Sequence, residues 1–210
     1  MTRSSAERSA ERRRLRLRRQ SLTADERRRA DRAIARRILA AGFVRSRLRT
    51  ALYLAALPGE ASLAHVIQRG WQIGARLYAP RILSLHRRTM TFVALEPSTR
   101  LERSAYGLIE PASRRRVRNP AHLDVVLVPL LGFDREGHRL GMGAGFYDRM
   151  LRRRRDPARS WRRPRLVGVA YSCQELDRIE PAAWDVGLDC VVTEKELIHC
   201  RRSAGYRTVA

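Results

Sequence analysis

Lysine is almost absent from this 210-residue chain, although the chain is strongly basic. Its 44 basic residues are 43 arginines and a single lysine, Lys195, and the 21 acidic residues leave a net charge of +23. Phosphate contacts can use either basic residue, so this ratio is more typical of codon bias across a genome than of selection for one ligand. The charge still raises non-specific affinity for anions such as nucleotides, polyglutamate tails or RNA.

Cysteines are also scarce, and their spacing excludes several kinds of protein. Cys173, Cys190 and Cys200 form no CxxC pair, so neither a disulfide framework nor a zinc site is expected, and a reducing compartment fits. No apolar run approaches the roughly 18 residues that a membrane helix needs. The arginine-rich N-terminus lacks the apolar segment of a secretory signal. We therefore expect a cytoplasmic protein without membrane contact.

Aromatic residues make up only 6% of the chain and do not cluster with the arginines. RNA-binding modules stack unpaired bases on aromatic side chains, so this scarcity disfavours a dedicated RNA-binding protein. An RNA-associated protein that uses its arginine-rich helices as a backbone-binding arm stays an alternative, because residues 1–49 carry 17 arginines against 5 acidic residues. A monomer is expected.

Short apolar segments alternate with helical patterns along the chain. Thr23 and Glu26 form a capping box, which opens a helix that ends near Gly42. Further helices are expected over residues 5–20, 62–69 (closed by Gly70) and 146–155, and strands over residues 50–55, 75–79, 89–95, 125–131, 166–171 and 190–193. Residues 97–122, with three prolines, are expected to be irregular.

This alternation predicts an α/β fold with a largely parallel sheet flanked by helices. The length favours a single domain over residues 1–210. An arginine-rich N-terminal helical segment, residues 1–20, precedes the sheet, and its first residues are expected to fray.

Residues 124–151 carry the clearest chemical signal, with the sequence DVVLVPLLGFDREGHRLGMGAGFYDRML. It predicts a buried strand, a type I turn over residues 134–137, a glycine-rich loop and a helix. Glycines at alternate positions 141, 143 and 145 let successive backbone N–H groups converge on an anion, and the helix adds its positive dipole end. Arg139 can make a bidentate phosphate contact, and Asp148 suits a magnesium ion or the helix dipole.

Two common phosphate-binding motifs are excluded for this loop. A Walker A loop ends in Gly-Lys-Ser/Thr, and no lysine lies nearby; a dinucleotide fingerprint would need glycine in place of Phe146. Tight packing of a helix on a sheet is the alternative interpretation of such glycines. The flanking Arg139 and Asp148 favour function over packing alone.

The same stretch resembles the signature of the 5-formyltetrahydrofolate cyclo-ligase family, also called methenyltetrahydrofolate synthetases, and its variants are similar to a bacterial branch. The matching residues are Val128-Pro129, Phe133-Asp134, Gly137 and the run RLGMGAGFYDR over residues 139–149. The resemblance covers nearly the whole chain, through Arg12-Arg13-Arg14-Leu15-Arg16, Tyr53 with Pro58-Gly59-Glu60, Met90-x-Phe92, the run YGLIEP over residues 106–111, and Pro181…Trp184-Asp185…Asp189…Thr193-Glu194.

That resemblance implies a reaction that depends on ATP and Mg²⁺. The substrate would be 5-formyltetrahydrofolate, with or without a polyglutamate tail, and the products 5,10-methenyltetrahydrofolate, ADP and phosphate. In the family's mechanism the formyl oxygen is phosphorylated, N10 attacks the activated carbon, and phosphate leaves. Such a site needs mainly positioning and charge stabilisation.

The resemblance also implies a role for each site residue. ATP would be bound by Arg12, Arg16, Arg139, Leu140, Gly141, Met142, Gly143, Ala144, Gly145, Phe146 and Tyr147. The substrate would contact Arg16, Tyr53, Glu60, Met90 and Phe92, with the backbone of residues 142–146 close to the formyl group. Glu60 can pair with pterin N–H donors, and Asp148 and Asp189 would hold Mg²⁺.

Several residues depart from the family pattern. Arg12 replaces a lysine, and its longer, forked side chain would let the register slip to Arg13 or Arg14. Ala144 replaces a common glycine, which suits the loop only where φ is negative. Trp184 stands where many members have histidine. A family member that binds folate without turnover is therefore a further alternative.

Overall fold

The computed structural model describes residues 5–104, 108–112, 116–117, 122–152 and 164–200. Its helices are α1 Ser5–Gln20, α2 Ala24–Ala40, α3 Ala64–Gln72 and α4 Phe146–Leu151. Its strands are β1 Arg49–Ala51, β2 Arg76–Ser84, β3 Thr89–Ala94, β4 Leu101–Arg103, β5 Ile109–Pro111, β6 Arg116–Val117, β7 Val125–Pro129, β8 Gly132–Phe133, β9 Arg139–Leu140, β10 Arg165–Val169, β11 Cys190–Val192 and β12 Leu197–His199.

Eight of these strands form one twisted sheet in the order β12-β11-β10-β7-β1-β2-β3-β6. The five strands from β11 to β2 are parallel, with Thr50 of β1 opposite Val125 of β7 and Leu77 of β2. The strands β12, β3 and β6 are antiparallel additions at the two sides. The predicted α/β fold with a largely parallel sheet and an N-terminal helical segment is confirmed.

Strand β7 lies at the centre because both of its faces are apolar. Val125 and Leu127 point into one core, which α2 and α3 cover, whereas Val126 and Val128 point into a second core, which includes Leu151 of α4. This alternation follows from the pleat of a strand. A strand buried on both faces is what a continuous apolar run predicts.

Helix α1 contributes a third, small core at one edge of the sheet. Leu15 is fully buried and packs with Leu131, Leu140 and Ile179, whereas Leu17 is 62% exposed. Arg19, four residues after Leu15, is also buried. One face of α1 therefore lies against β9 and the loop that follows it.

The predicted capping box of α2 is confirmed. The side chain of Thr23 accepts from the backbone of Glu26, and the Glu26 carboxylate accepts from the Thr23 backbone at 2.7 Å. The predicted turn over residues 134–137 is also present, because Gly137 N–H donates to the Asp134 carbonyl at 3.2 Å. These local signals are short-range hydrogen bonds, which the sequence specifies directly.

Some predicted boundaries are wrong. Helix α3 continues past Gly70 to Gln72. Gly70 does not end the helix but leaves room for Leu77, whose Cδ1 atom lies 3.0 Å from where a Cβ would stand. Residues 97–122 contain the ribbon β4–β5 and the short β6. Within the described ranges α4 ends at Leu151, and residues 153–155 of its predicted span lie outside them, as do Tyr106 and Gly107. None of the helices within the described ranges is long and apolar enough to cross a membrane.

Candidate active site

The glycine-rich loop connects β9 to α4 and has the open backbone that the sequence predicts. Gly143 has φ +101° and Gly145, the N-cap of α4, has φ +67°. No atom outside the neighbouring residues lies within 4 Å of where a Cβ would stand on Gly141 or Gly145. Backbone N–H groups in this loop are therefore not screened by side chains. Helix α4 has only six residues, so the dipole we expected to assist is small.

Ala144 does not strain this loop. Within the described ranges Arg88 is the one non-glycine residue with positive φ. The backbone of Ala144 is thus in a region that any L-residue adopts. The departure from the family's glycine at this position leaves the loop shape intact.

Arg139 and Asp148 contact each other. The Nη2 atom of Arg139 donates to Oδ1 of Asp148, and its Nη1 atom donates to the Val186 carbonyl. The same Asp148 oxygen accepts from Val186 N–H at 3.1 Å. This buried ion pair ties β9, α4 and the segment before β11 together. The expected phosphate contact of Arg139 stays a prediction, because its guanidinium already has two partners.

Arg12 lies on the glycine loop, which fixes the register of the basic run. Its Nε atom donates to the Gly141 carbonyl at 3.0 Å, and its guanidinium carbon is 3.7 Å from where a Gly143 Cβ would stand. Arg13 and Arg14 are exposed. Burial, followed by the charges of neighbouring arginines, lowers the pKa of Arg12. A cation beside repelling cations is a favourable place for an anion.

Arg8 is a site residue that the sequence interpretation missed. It lies one helical turn before Arg12, and its charge also lowers the pKa of Arg12. Its Nη2 atom donates to the Glu180 carbonyl at 3.3 Å, and it lines a cavity together with Arg139 and Asp185. The sequence could have identified Arg8, because the four-residue spacing of Arg8, Arg12 and Arg16 places them on one helical face. Arg16, predicted to touch ATP and substrate, is half-buried between Arg12 and Arg19.

Asp185 is the second missed residue. Its Oδ2 atom accepts from Ala182 N–H at 2.8 Å. Burial raises the pKa of Asp185, and the negative charge of Asp148 raises it further, whereas Arg139 and Arg8 lower it. Two carboxylates and their arginine partners thus share one region beside the glycine loop.

Asp189, the predicted partner of Asp148 at the metal, has a different contact. Its Oδ2 atom accepts from Leu166 N–H at 2.8 Å, at the amino end of β10. Asp148 instead contacts Arg139 and Val186. Among the described residues no three His, Cys, Asp or Glu side chains gather closely enough to hold a metal ion. The shared Mg²⁺ of Asp148 and Asp189 stays a prediction.

Three of the residues expected to contact the pterin belong to the protein core. Phe92 is fully buried, and its ring centroid is 6.4 Å from that of Tyr147. Tyr53 is 4% exposed, and its hydroxyl donates to the Ala61 carbonyl at 2.7 Å. Met90 is 9% exposed. These side chains pack in the core, and their contact with the substrate stays a prediction.

Glu60 lies where a ligand can reach polar groups. Its Oε2 atom accepts from Ala56 N–H and Leu57 N–H, each at 3.1 Å. Burial raises the pKa of Tyr147, and the charge of Glu60 raises it further. The Tyr147 hydroxyl is buried and has no hydrogen-bond partner among the described residues. Helix α4 thus connects the glycine loop to Glu60.

Comparison with known proteins agrees with this geometry. The 5-formyltetrahydrofolate cyclo-ligase family model matches residues 4–194. The 5-formyltetrahydrofolate cyclo-ligase of Haemophilus influenzae is 31% identical over 173 residues (81% of this chain, 88% of that protein), and that of Escherichia coli K12 is 30% identical over 186 residues (87% and 98%). The NMR structure of Aquifex aeolicus 5,10-methenyltetrahydrofolate synthetase is 30% identical, with a TM-score of 0.77 over 97% of this chain and 96% of that one. The chain therefore belongs to the 5-formyltetrahydrofolate cyclo-ligase family.

Proposed function

We propose that this protein converts 5-formyltetrahydrofolate to 5,10-methenyltetrahydrofolate at the expense of ATP. Family membership supports the reaction class. The observation that carries the proposal is Arg12 on the glycine loop, because it combines exposed backbone N–H groups with a cation that has no carboxylate within hydrogen-bonding distance among the described residues. Such a combination binds a polyphosphate.

The chemistry follows from the stability of an amide. The oxygen of the N5-formyl group is a poor leaving group, so it first attacks the γ-phosphorus of ATP, and ADP departs. The N10 nitrogen then attacks the formyl carbon and loses its proton, and the C–O bond breaks to release phosphate. One ATP is consumed for each methenyl product formed.

The residues of this chain mainly bind and orient the reactants. The loop N–H groups, Arg8 and Arg12 bind the phosphates and offset the charge that develops as ADP departs. Glu60 accepts hydrogen bonds from the pterin ring and sets its direction. Binding holds N10 and the formyl carbon at reacting distance, so the chemical step does not carry the entropy loss of bringing them together in solution.

The proposed magnesium ion finds a suitable donor set in Asp148 and Asp185. Mg²⁺ takes one or two carboxylates together with substrate phosphates and water, and burial, followed by the charge of Asp148, raises the pKa of Asp185. Bound there, the ion would neutralise charge on the phosphates. We favour this pair over Asp148 with Asp189, because Asp148 bonds Arg139 and Arg139 lines a cavity with Asp185, whereas Asp189 contacts Leu166 N–H at the amino end of β10.

Product stoichiometry tests the proposal. We expect purified protein, 5-formyltetrahydrofolate and Mg-ATP to yield ADP, phosphate and methenyltetrahydrofolate in equal amounts. ADP without methenyl product would show an ATPase whose acceptor is a different molecule. Binding of both ligands without any product would instead support the folate-binding alternative, in which Trp184 differs from the family's histidine.

A further inference from the structure

Arg19 is a buried arginine in the last turn of α1 whose hydrogen bonding is incomplete. Its residue surface is 3% exposed. Its Nη2 atom donates to the Pro58 carbonyl at 2.9 Å, whereas its Nε atom is buried and has no acceptor in the described part of the chain. A buried donor without an acceptor is unfavourable and rare in folded proteins. An acceptor supplied by a ligand would satisfy this donor.

The turn over residues 58–60 fixes the position of this guanidinium. Gly59 has φ +76°, and a Cβ there would stand 3.3 Å from Cγ and Nε of Arg19. The turn therefore lies directly on the Arg19 side chain. Burial lowers the pKa of Arg19, and the negative charge of Glu60 raises it. Arg19 and Glu60 are neighbours held by one turn.

Glu60 has an unused acceptor beside that donor. Its Oε2 atom receives the N–H groups of Ala56 and Leu57, which leaves Oε1 without a hydrogen bond within the described ranges. The Tyr147 hydroxyl, whose pKa is raised by burial and then by the charge of Glu60, is buried and has no hydrogen-bond partner among the described residues. One free carboxylate oxygen and two donors without acceptors indicate a site for a polar ligand.

The donors and the acceptor along one edge of a pterin ring complement the Glu60 carboxylate and the Arg19 donor. The 2-amino group and N3–H are donors, and the adjacent O4 atom is an acceptor. A carboxylate can receive both donors, but it repels O4, which therefore needs a donor next to the carboxylate. We propose that Arg19 supplies that donor: its Nε–H bonds O4 of 5-formyltetrahydrofolate while Glu60 receives the 2-amino and N3–H groups. This inference rests on the proposed function and adds a specificity residue to it.

A prediction about ligand chemistry follows from this arrangement. An analogue with an amino group at position 4 presents a donor to the donor of Arg19, which is repulsive. Aminopterin carries an amino group at position 4 in place of the oxygen of folic acid, and its N3 then carries no hydrogen, so Glu60 also favours folic acid. The wild-type protein should therefore prefer folic acid, and in a variant without Nε–H this preference should shrink by the part that Arg19 contributes. A purely structural role of Arg19 would weaken both ligands equally.

The experiment measures binding by titration calorimetry in the absence of ATP turnover. In Arg19→Met we expect the Kd of 5-formyltetrahydrofolate to rise about 10- to 100-fold, the effect of losing one charge-assisted hydrogen bond. The Kd of ATP and the thermal midpoint should stay near the wild-type values. Arg18→Met, with the same charge change on the exposed side of α1, is the matched control and should change neither Kd.

A second variant keeps the test decisive where Arg19→Met folds poorly. Arg19→Lys retains a cation that can reach the Pro58 carbonyl but lacks Nε–H, and its preference for folic acid over aminopterin should be smaller than that of the wild-type protein. Wild-type affinity and preference in the substituted proteins would overturn the role of Arg19. The proposed function fails separately, if the wild-type protein binds 5-formyltetrahydrofolate but forms no methenyl product. Absence of binding by the wild-type protein would overturn both.

Discussion

The backbone of the glycine loop gives a sharp prediction, because Gly141 and Gly143 lie two residues apart but have different conformations. Gly143 has φ +101°, whereas Gly141 is outside the left-handed region. No non-bonded atom comes within 3.4 Å of a Cβ built on either residue. Alanine at 143 therefore acts through strain alone, and alanine at 141 should cause neither strain nor a clash.

The backbone strain in Gly143→Ala sets the size of the expected loss of ATP affinity. Holding a non-glycine residue in such a conformation costs about 1–3 kcal/mol. Because the loop at Gly143 is exposed, Gly143→Ala can relax the loop without unfolding the core. The observed conformation then becomes about 5- to 150-fold less populated relative to the relaxed one, and apparent affinity for ATP falls in proportion to the competent fraction.

The assay compares the KM of ATP and the thermal midpoint for the wild-type protein, Gly143→Ala and Gly141→Ala. We expect the KM of ATP to rise more in Gly143→Ala than in Gly141→Ala, which adds a methyl group to the loop without strain, with thermal midpoints that stay close together. Equal KM values in both variants and the wild type would refute the claim that this loop conformation binds the phosphates. A large fall in the thermal midpoint of Gly143→Ala would show that the strain cannot relax locally.

Three further predictions concern charged residues of the site. Asp148→Asn should raise the Mg²⁺ concentration needed for half-maximal activity about tenfold or more, whereas Asp189→Asn should change thermal stability more than Mg²⁺ dependence. Arg12→Met should raise the KM of ATP about tenfold, and Arg13→Met should leave it unchanged. The raised pKa of Asp185 means that its ionisation disfavours the folded state, so Asp185→Asn should raise the thermal midpoint at pH 7 and give a smaller gain as the pH falls toward 4.

Each of these predictions has a contradicting result. A Mg²⁺ dependence that changes as much in the variant at Asp189 as in that at Asp148 would favour Asp148 with Asp189 as the metal ligands over Asp148 with Asp185. Equal effects at Arg12 and Arg13 would show that the basic helix acts through its overall charge, as the RNA-associated alternative supposes. A thermal midpoint of the Asp185 variant that falls at pH 7 would show that the hydrogen bond from Ala182 N–H outweighs the cost of burying the Asp185 charge and its repulsion by Asp148.

The central strands and the glycine loop could be predicted because their signals are local. An unbroken apolar run fits a strand covered on both faces, as β7 is. The capping box and the turn at Asp134 depend on side chains that bond their own backbone. The loop needs residues without a Cβ at positive φ, and Gly143 and Gly145 supply them.

Other features depend on contacts that sequence spacing does not contain. Gly70 is typical of a helix end, but its role is close approach to Leu77 on a neighbouring strand. The family resemblance implied Asp148 and Asp189 as the metal ligands, and nothing in the sequence pointed to Asp185, which lines a cavity with Arg139, the partner of Asp148. Arg19 belongs to an arginine-rich helix in which no local pattern distinguishes the buried residue from its exposed neighbours.

The central claim is ATP-dependent formation of the methenyl product, and absorbance of 5,10-methenyltetrahydrofolate measures it most directly. With 5-formyltetrahydrofolate at neutral pH, the account predicts product in the presence of Mg-ATP and none without ATP, with the rate strongly reduced in Arg12→Met. Folded protein that binds both ligands and forms no product would contradict it, as would product formation that does not depend on ATP.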